Sequence, residues 1–239
     1  MIIKEVKPFG NGAQILVPKE WSGKTALISL QNKTLQDIKK DLLNNIKQLD
    51  KVACILVIGS YARNENLPES DVDVVIFCTE KLEINLPAYH IILVNINRLK
   101  EEINLNPALF KSILDEGIII LNSDFLKNIK INNKDIKNYK KECYNAYSIN
   151  KKLIKLDKKL NTISPSVIYS AILRLRALFI LKNKYSFHKF REWTIRNNLN
   201  FDDLYNIYKL IRDNKYINDL YVNLNEVEKA NEFLSDQLR

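Results

Sequence analysis

Residues 55–77 read ILVIGSYARNENLPESDVDVVIF, and the order of residue types in this stretch decides the fold. Val52–Ile58 is a continuous apolar run, short enough for a strand buried on both faces, and it stops at Gly59-Ser60. Ten residues later Asp71-Val72-Asp73-Val74 opens a second apolar run that reaches Phe77. Alternate residues of a strand share a face, so Asp71 and Asp73 point the same way while the valines anchor the strand. Two carboxylates held that close repel unless a cation sits between them. One or two carboxylates completed by phosphate oxygens are the ligands Mg2+ prefers. Gly59 lets the backbone approach closely, and Ser60 adds a hydroxyl and a backbone N–H. A helix starting near Ser60 would turn free N–H groups toward the same spot, which favours phosphate.

The flanking sequence extends the pattern. Thr34 is a good N-cap for a helix over 35–49, with Asp37 in its first turn and Leu35, Ile38, Leu42, Leu43, Ile46 and Leu49 at helical spacing. Tyr89–Val94 reads as a third strand, 107–115 as a helix and Gly117–Leu121 as a closing strand. Strands and helices alternate, as in an α/β unit. Upstream, Phe9-Gly10-Asn11-Gly12 is a turn between strands Ile2–Val6 and Gln14–Val17, and 25–30 (TALISL) reads as a further strand. Beyond residue 124 the strand signal fades, and the spacing predicts helices over 133–160, 165–183, 187–197, 201–213 and 223–237. The helix from Pro165 is apolar over a wide face, as the centre of a bundle would be. The expected class is therefore α+β. It has a β segment over 1–31, an α/β domain with a mixed sheet over 32–123 and a helical bundle over 124–239.

Composition narrows the function classes. Of 239 residues, 37 are Lys or Arg and 28 Asp or Glu, a net charge of +9. Residues 1–123 hold 14 basic and 15 acidic side chains and 124–239 hold 23 and 13, so the excess belongs to the second half. Within 127–159, eleven Lys face three acids, and Lys127, Lys130, Lys134, Lys137 and Lys141 step by three and four. On a helix these five share a face that attracts phosphate, and nucleic acid is the partner such a face suits; a solvated helix surface is the other reading. No apolar stretch is long enough to span a membrane, and the N-terminus lacks the apolar core of a signal peptide. Cys54, Cys78 and Cys143 are odd in number and widely spaced, which fits a reducing cytoplasm and not a disulfide framework.

Ile58-Gly59-Ser60 followed by Asp71-Val72-Asp73-Val74 resembles the signature of the nucleotidyltransferase superfamily, which includes DNA polymerase β and kanamycin nucleotidyltransferases. Ala62-Arg63 and Ser70 resemble the small archaeal and bacterial members. The resemblance covers about residues 34–123. It implies a nucleoside triphosphate held through Mg2+ and transfer of its nucleotidyl group to a hydroxyl on a protein partner, an RNA end or a small molecule. Asp71 and Asp73 would then be the catalytic metal ligands, Gly59 and Ser60 would grip the β- and γ-phosphates, and Arg63 would add a charge-assisted contact. The family usually places a third carboxylate on a later, adjacent strand, and 88–94 contains no acid. Glu83 and His90 stand as candidates for the third site group, beside the reading that there is none and that the chain binds nucleotide weakly or without turnover.

Residues 4–24, KEVKPFGNGAQILVPKEWSGK, resemble the swapped-hairpin AbrB family and small archaeal transposon-associated proteins. That implies a homodimer through residues 1–30 and a DNA-associated regulator. A β appendage with Trp21 as a core or interface anchor is the alternative. Arg174 and Arg176 lie inside the apolar helix and need partners, either in the nucleotide cleft or in a buried ion pair.

Overall fold

The computed structural model describes residues 4, 6–26, 33–67, 70–87, 89–213 and 222–239. The chain divides into two compact units, Met1–Asn32 and Lys33–Arg239.

The first unit carries a hairpin of β1 (Lys7–Phe9) and β2 (Gly12–Gln14), with Phe9 opposite Gly12. The turn is at Gly10-Asn11, and its positive φ falls on Gly10, where a side chain would be strained. A two-residue turn puts the paired strands immediately beside it. The paired strands lie over 7–9 and 12–14, and 15–17, expected to continue a strand from Gln14, is not strand. Residues 2, 3 and 5 of the expected strand 2–6 and residues 27–30 of the expected strand 25–30 lie outside the described residues. Val6, Phe9, Leu16, Val17 and Trp21 are all exposed.

In the second unit α1 (Leu35–Asn45) starts at a capping box. The Thr34 hydroxyl accepts from Asp37 N–H at 3.1 Å, and the Asp37 carboxylate accepts from Thr34 N–H at 3.0 Å. Thr34→Ala removes one half of this exchange and should lower unfolding free energy by about 1 kcal/mol in urea titration. The helix stops at Asn45, and Leu49 falls in a separate 3-10 turn.

β3 (Val52–Ile58) leads into the single turn α2 (Gly59–Ala62), and β4 (Val72–Cys78), β5 (Tyr89–Asn95) and, later, β6 (Ile118–Leu121) complete a sheet of order β5-β4-β3-β6. β3 runs antiparallel to β4 and to β6, and β4 runs parallel to β5, so the sheet is mixed. Both faces are covered, which is why β3 and β4 read as unbroken apolar runs. Ile55, Val57, Val72, Val74 and Ile76 pack with Ile38 and Leu42 of α1. Cys54, Leu56, Ile58, Val75 and Phe77 pack on the opposite face. That second face is covered by α3 (Leu99–Leu105) and α4 (Pro107–Glu116), through Ile103, Phe110 and Ile113. The polar run at 97–102 conceals α3 from periodicity. The parallel β4–β5 link has no helix among its described residues; Leu82, Ile84 and Leu86 pack on the α1 side and close that core.

The bundle comprises α5 (Asn133–Leu160), α6 (Pro165–Lys182), α7 (Phe187–Arg196), α8 (Phe201–Arg212) and α9 (Leu224–Leu238). α6 is central, with Val167, Ile168, Ala171, Ile172, Leu175 and Leu178 essentially without solvent contact. The α5–α6 corner is tied by the buried Asp157 carboxylate, which accepts from Ser164 N–H and Oγ, both at 2.8 Å. Asn161 ends α5 at φ 50°, and Asn64, Asn122 and Asn198 also take left-handed backbone. In a chain with five Gly, Asn fills this role because its short side chain tolerates the conformation.

The five-lysine face does not form. α5 begins at a capping box between Asn132 and Asp135, so Lys127 lies in a preceding 3-10 turn, paired with Asp124 at 2.6 Å, and Lys130 in the link. Lys134, Lys137 and Lys141 alone of the five are on the helix. No helix among the described residues is long and apolar enough to cross a membrane.

Candidate active site

The ends of β3 and β4 bring the motif together. β3 runs out at Ile58, and the chain turns at Gly59 with φ 74° into α2. Antiparallel pairing sets Asp73 opposite Ile58, next to that turn. A Cβ placed on Gly59 would lie 2.2 Å from Asp73 Oδ2, inside any permitted contact. Gly59 is thus required twice: for its backbone conformation, and because the Asp73 carboxylate occupies the space a side chain would take. Asp73 is half-buried, and Asp71, just before β4, is exposed. Val72 and Val74 belong to the α1 side of the sheet, so strand alternation turns Asp73 to the other face. Asp71 has the same parity. Ser60 lies one residue past the bend, half-buried, and its carbonyl accepts from Glu65 N–H at 2.8 Å, closing the loop after α2.

His90 reaches this place from the neighbouring strand. Parallel pairing sets it opposite Asp73, and its Nδ1 lies 2.9 Å from Asp73 Oδ1. Glu83 does not join them. It is exposed in the β4–β5 link, where Leu82 and Ile84 on either side turn into the α1 core. Among the described residues, no group of three or more His, Cys, Asp or Glu is arranged to hold a metal ion. Asp73 stands at the bend and Asp71 two residues before it; two carboxylates are a hard-oxygen set of the kind Mg2+ accepts when phosphates and water supply the rest.

Tyr89, one residue earlier, faces α1 and donates its hydroxyl to Asp41 Oδ2 at 2.6 Å, where Lys33 Nζ also binds. Burial alone would raise the Asp41 pKa. The hydrogen bonds from Lys33 and Tyr89 outweigh it and hold the carboxyl below its ordinary 3.8. Burial and the same hydrogen bond push the Tyr89 phenol far up. The start of β5, and with it His90, is thereby pinned to α1.

Arg63, expected from the sequence to reach phosphate, is engaged elsewhere. Its Nη1 donates to Glu116 Oε1 at 2.9 Å and its Nε to Glu65 Oε2 at 2.7 Å. Its guanidinium carbon lies 4.9 Å from the centre of the Tyr185 ring. Arg63 therefore ties the loop after α2 to the end of α4 and to the α6–α7 link. The Glu116 side chain is 3% exposed, and its Oε2 has no hydrogen-bond partner. Arg63, Glu116, Tyr185 and Ser186 line a cavity of about 530 Å³ beside this junction. Glu116→Gln keeps the shape and removes the charge. It should cost about 2 kcal/mol of stability, measured as a lower urea midpoint at unchanged slope.

Arg174 and Arg176 find neither cleft acid nor buried ion pair. Arg174 Nη1 bonds back to Ser170 O at 3.0 Å. Arg176 lies 4.9 Å from the Tyr185 ring centre, and its Nη1 is 3.5 Å from the Tyr208 hydroxyl. The partners of Arg176 are a ring face and a phenol hydroxyl, and its buried Nε has no hydrogen-bond partner. Sequence reading missed Glu116 and Tyr185; no local pattern marks them as partners of Arg63, which lies 53 and 122 positions before them.

A nucleotidyltransferase-domain family model matches residues 39–188, and a family of putative transposon-encoded proteins matches residues 1–30. A nucleotidyltransferase-like protein from Exiguobacterium sibiricum 255-15 is similar in structure at 12% identity and a TM-score of 0.37, over 84% of this chain and 74% of that one. No curated protein matches the sequence.

Proposed function

The chain belongs to the nucleotidyltransferase-domain family, and on that premise we propose that it transfers a nucleoside monophosphate from a nucleoside triphosphate to a hydroxyl acceptor. The observation that carries this reading is the contact between the Asp73 carboxylate and the Gly59 bend, which sets a hard-oxygen acid directly against the backbone turn. Gly59 and Ser60 receive the β- and γ-phosphates, to which the bend offers bare backbone and the Ser60 hydroxyl a donor. Asp71 and Asp73 hold Mg2+, which when bound supplies charge stabilisation for an in-line displacement. The acceptor oxygen forms a bond to the α-phosphorus, the bond to the bridging oxygen of the β-phosphate breaks, and pyrophosphate leaves with that electron pair. The acceptor proton passes to solvent. Gly59 and Asp73 fix one another, so the carboxylate is oriented before substrate arrives.

The test is incubation with each α-labelled nucleoside triphosphate and Mg2+, with protein, RNA and small-molecule fractions as acceptors. Pyrophosphate release together with covalent label in one fraction is the expected result. A second reading, a nucleotide-binding module without turnover, is favoured by one observation: the third carboxylate common in the family does not join Asp71 and Asp73 among the described residues. Nucleotide binding with no pyrophosphate release in any fraction would select it, and absence of binding would reject both.

A further inference from the structure

Resting on the transferase reading, we infer that His90 is a positioning residue: its imidazole N–H holds Asp73, and the resulting site takes one divalent ion with its nucleotide and not two. Three observations meet here. The parallel register places Val72 beside Tyr89 and Asp73 beside His90. Val72 and Tyr89 pack on the α1 side, so Asp73 and His90 share the other face. The Nδ1 to Oδ1 distance is 2.9 Å. A carboxylate oxygen at hydrogen-bond distance accepts, and the tautomer that fits this contact carries its proton on Nδ1. Nδ1 then has no lone pair for a metal, so at this contact His90 acts through Asp73.

The two oxygens of Asp73 are then constrained from two sides. Oδ1 accepts from His90, and Oδ2 lies against Gly59. Rotation of the carboxylate about its Cβ–Cγ bond would break the first contact. Two ions about 4 Å apart need a carboxylate free to bridge them and further acids to balance their charge. Here one carboxylate is partly occupied by an N–H donor and the remaining acid is Asp71. Two negative charges and a triphosphate complete the coordination of one hard ion. Burial does not explain His90, whose side chain is 65% exposed, and a hydrogen bond so placed adds little to folding.

Mn2+ binding, followed by the loss of free-ion electron paramagnetic resonance signal, tests this with protein in excess over an α,β-methylene nucleoside triphosphate. The wild type should take up one Mn2+ per chain. His90→Ala should keep that stoichiometry and bind about tenfold or more weakly, the size of effect seen when a ligand loses its outer partner. His90→Asn, whose amide N–H can replace Nδ1–H, should recover most of the affinity. His90→Asp should bind a second ion. Melting temperatures of all three should match the wild type, which separates positioning from folding. Two ions in the wild type, wild-type affinity in His90→Ala, an unrescued His90→Asn, or a single ion in His90→Asp would each overturn the inference. Failure of the wild type to bind Mn2+ and nucleotide together would remove the transferase reading as well.

Discussion

Asp73→Asn should fold like the wild type and lose nucleotidyl transfer by about a thousandfold. The change keeps the volume of the side chain against Gly59, so the bend is not disturbed. It replaces an anionic oxygen by an amide nitrogen that cannot bind a cation. Lewis-acid stabilisation by a bound ion amounts to several kcal/mol, and each 1.36 kcal/mol is a factor of ten in rate. The nucleotide should also bind more weakly, because the ion that joins its phosphates to the protein loses half of its protein ligands. Asp71→Asn should act in the same direction. Single-turnover transfer with labelled substrate, beside a urea titration showing an unchanged midpoint, measures both parts. Retention of more than about a tenth of the wild-type rate in Asp73→Asn would remove the metal role assigned to it.

Gly59→Ala should be the most damaging one-carbon change in the chain. The new Cβ would meet Asp73 Oδ2 at 2.2 Å and Asp73 Cβ at 3.2 Å, while φ stays at 74°, where L residues are strained. The left-handed backbone costs about 1–2 kcal/mol, and relieving the clash requires the carboxylate or the strand end to move. A total near 3 kcal/mol of lost stability is expected. Any surviving protein should bind nucleoside triphosphate at least tenfold more weakly, because the bend and the Asp73 carboxylate are displaced together. The cause can be isolated by coupling. Asp73→Gly removes the atoms that the Cβ strikes, so the penalty of Gly59→Ala measured in that background should fall by 1 kcal/mol or more. Additive penalties would place the strain in the backbone alone.

Much of the site was legible because its signals are local. The run at 52–58 is short enough for a strand covered on both faces and 72–77 reads as its neighbour, and a two-residue period then turns Asp71 and Asp73 one way. The helices of the second half were readable for the same reason, since Pro165 and the apolar spacing mark a start and faces without reference to distant residues. The lysine spacing misled because periodicity counts residues and ignores caps. The Asn132–Asp135 exchange starts α5 six residues after Lys127 would have joined it. The hairpin strands shifted because the turn took two residues and not four, and pairing follows the turn.

Residue order alone sufficed for the strand–bend–strand unit, the acidic pair and the bundle that follows, because each depends on neighbours within a few positions. Which side chains complete the site was settled by folding. His90 meets Asp73 through the register of two parallel strands, and Arg63 meets Glu116 and Tyr185 across 53 and 122 positions. Such pairings arise from the packing of whole elements, and no short stretch of chain encodes which distant residue will lie opposite.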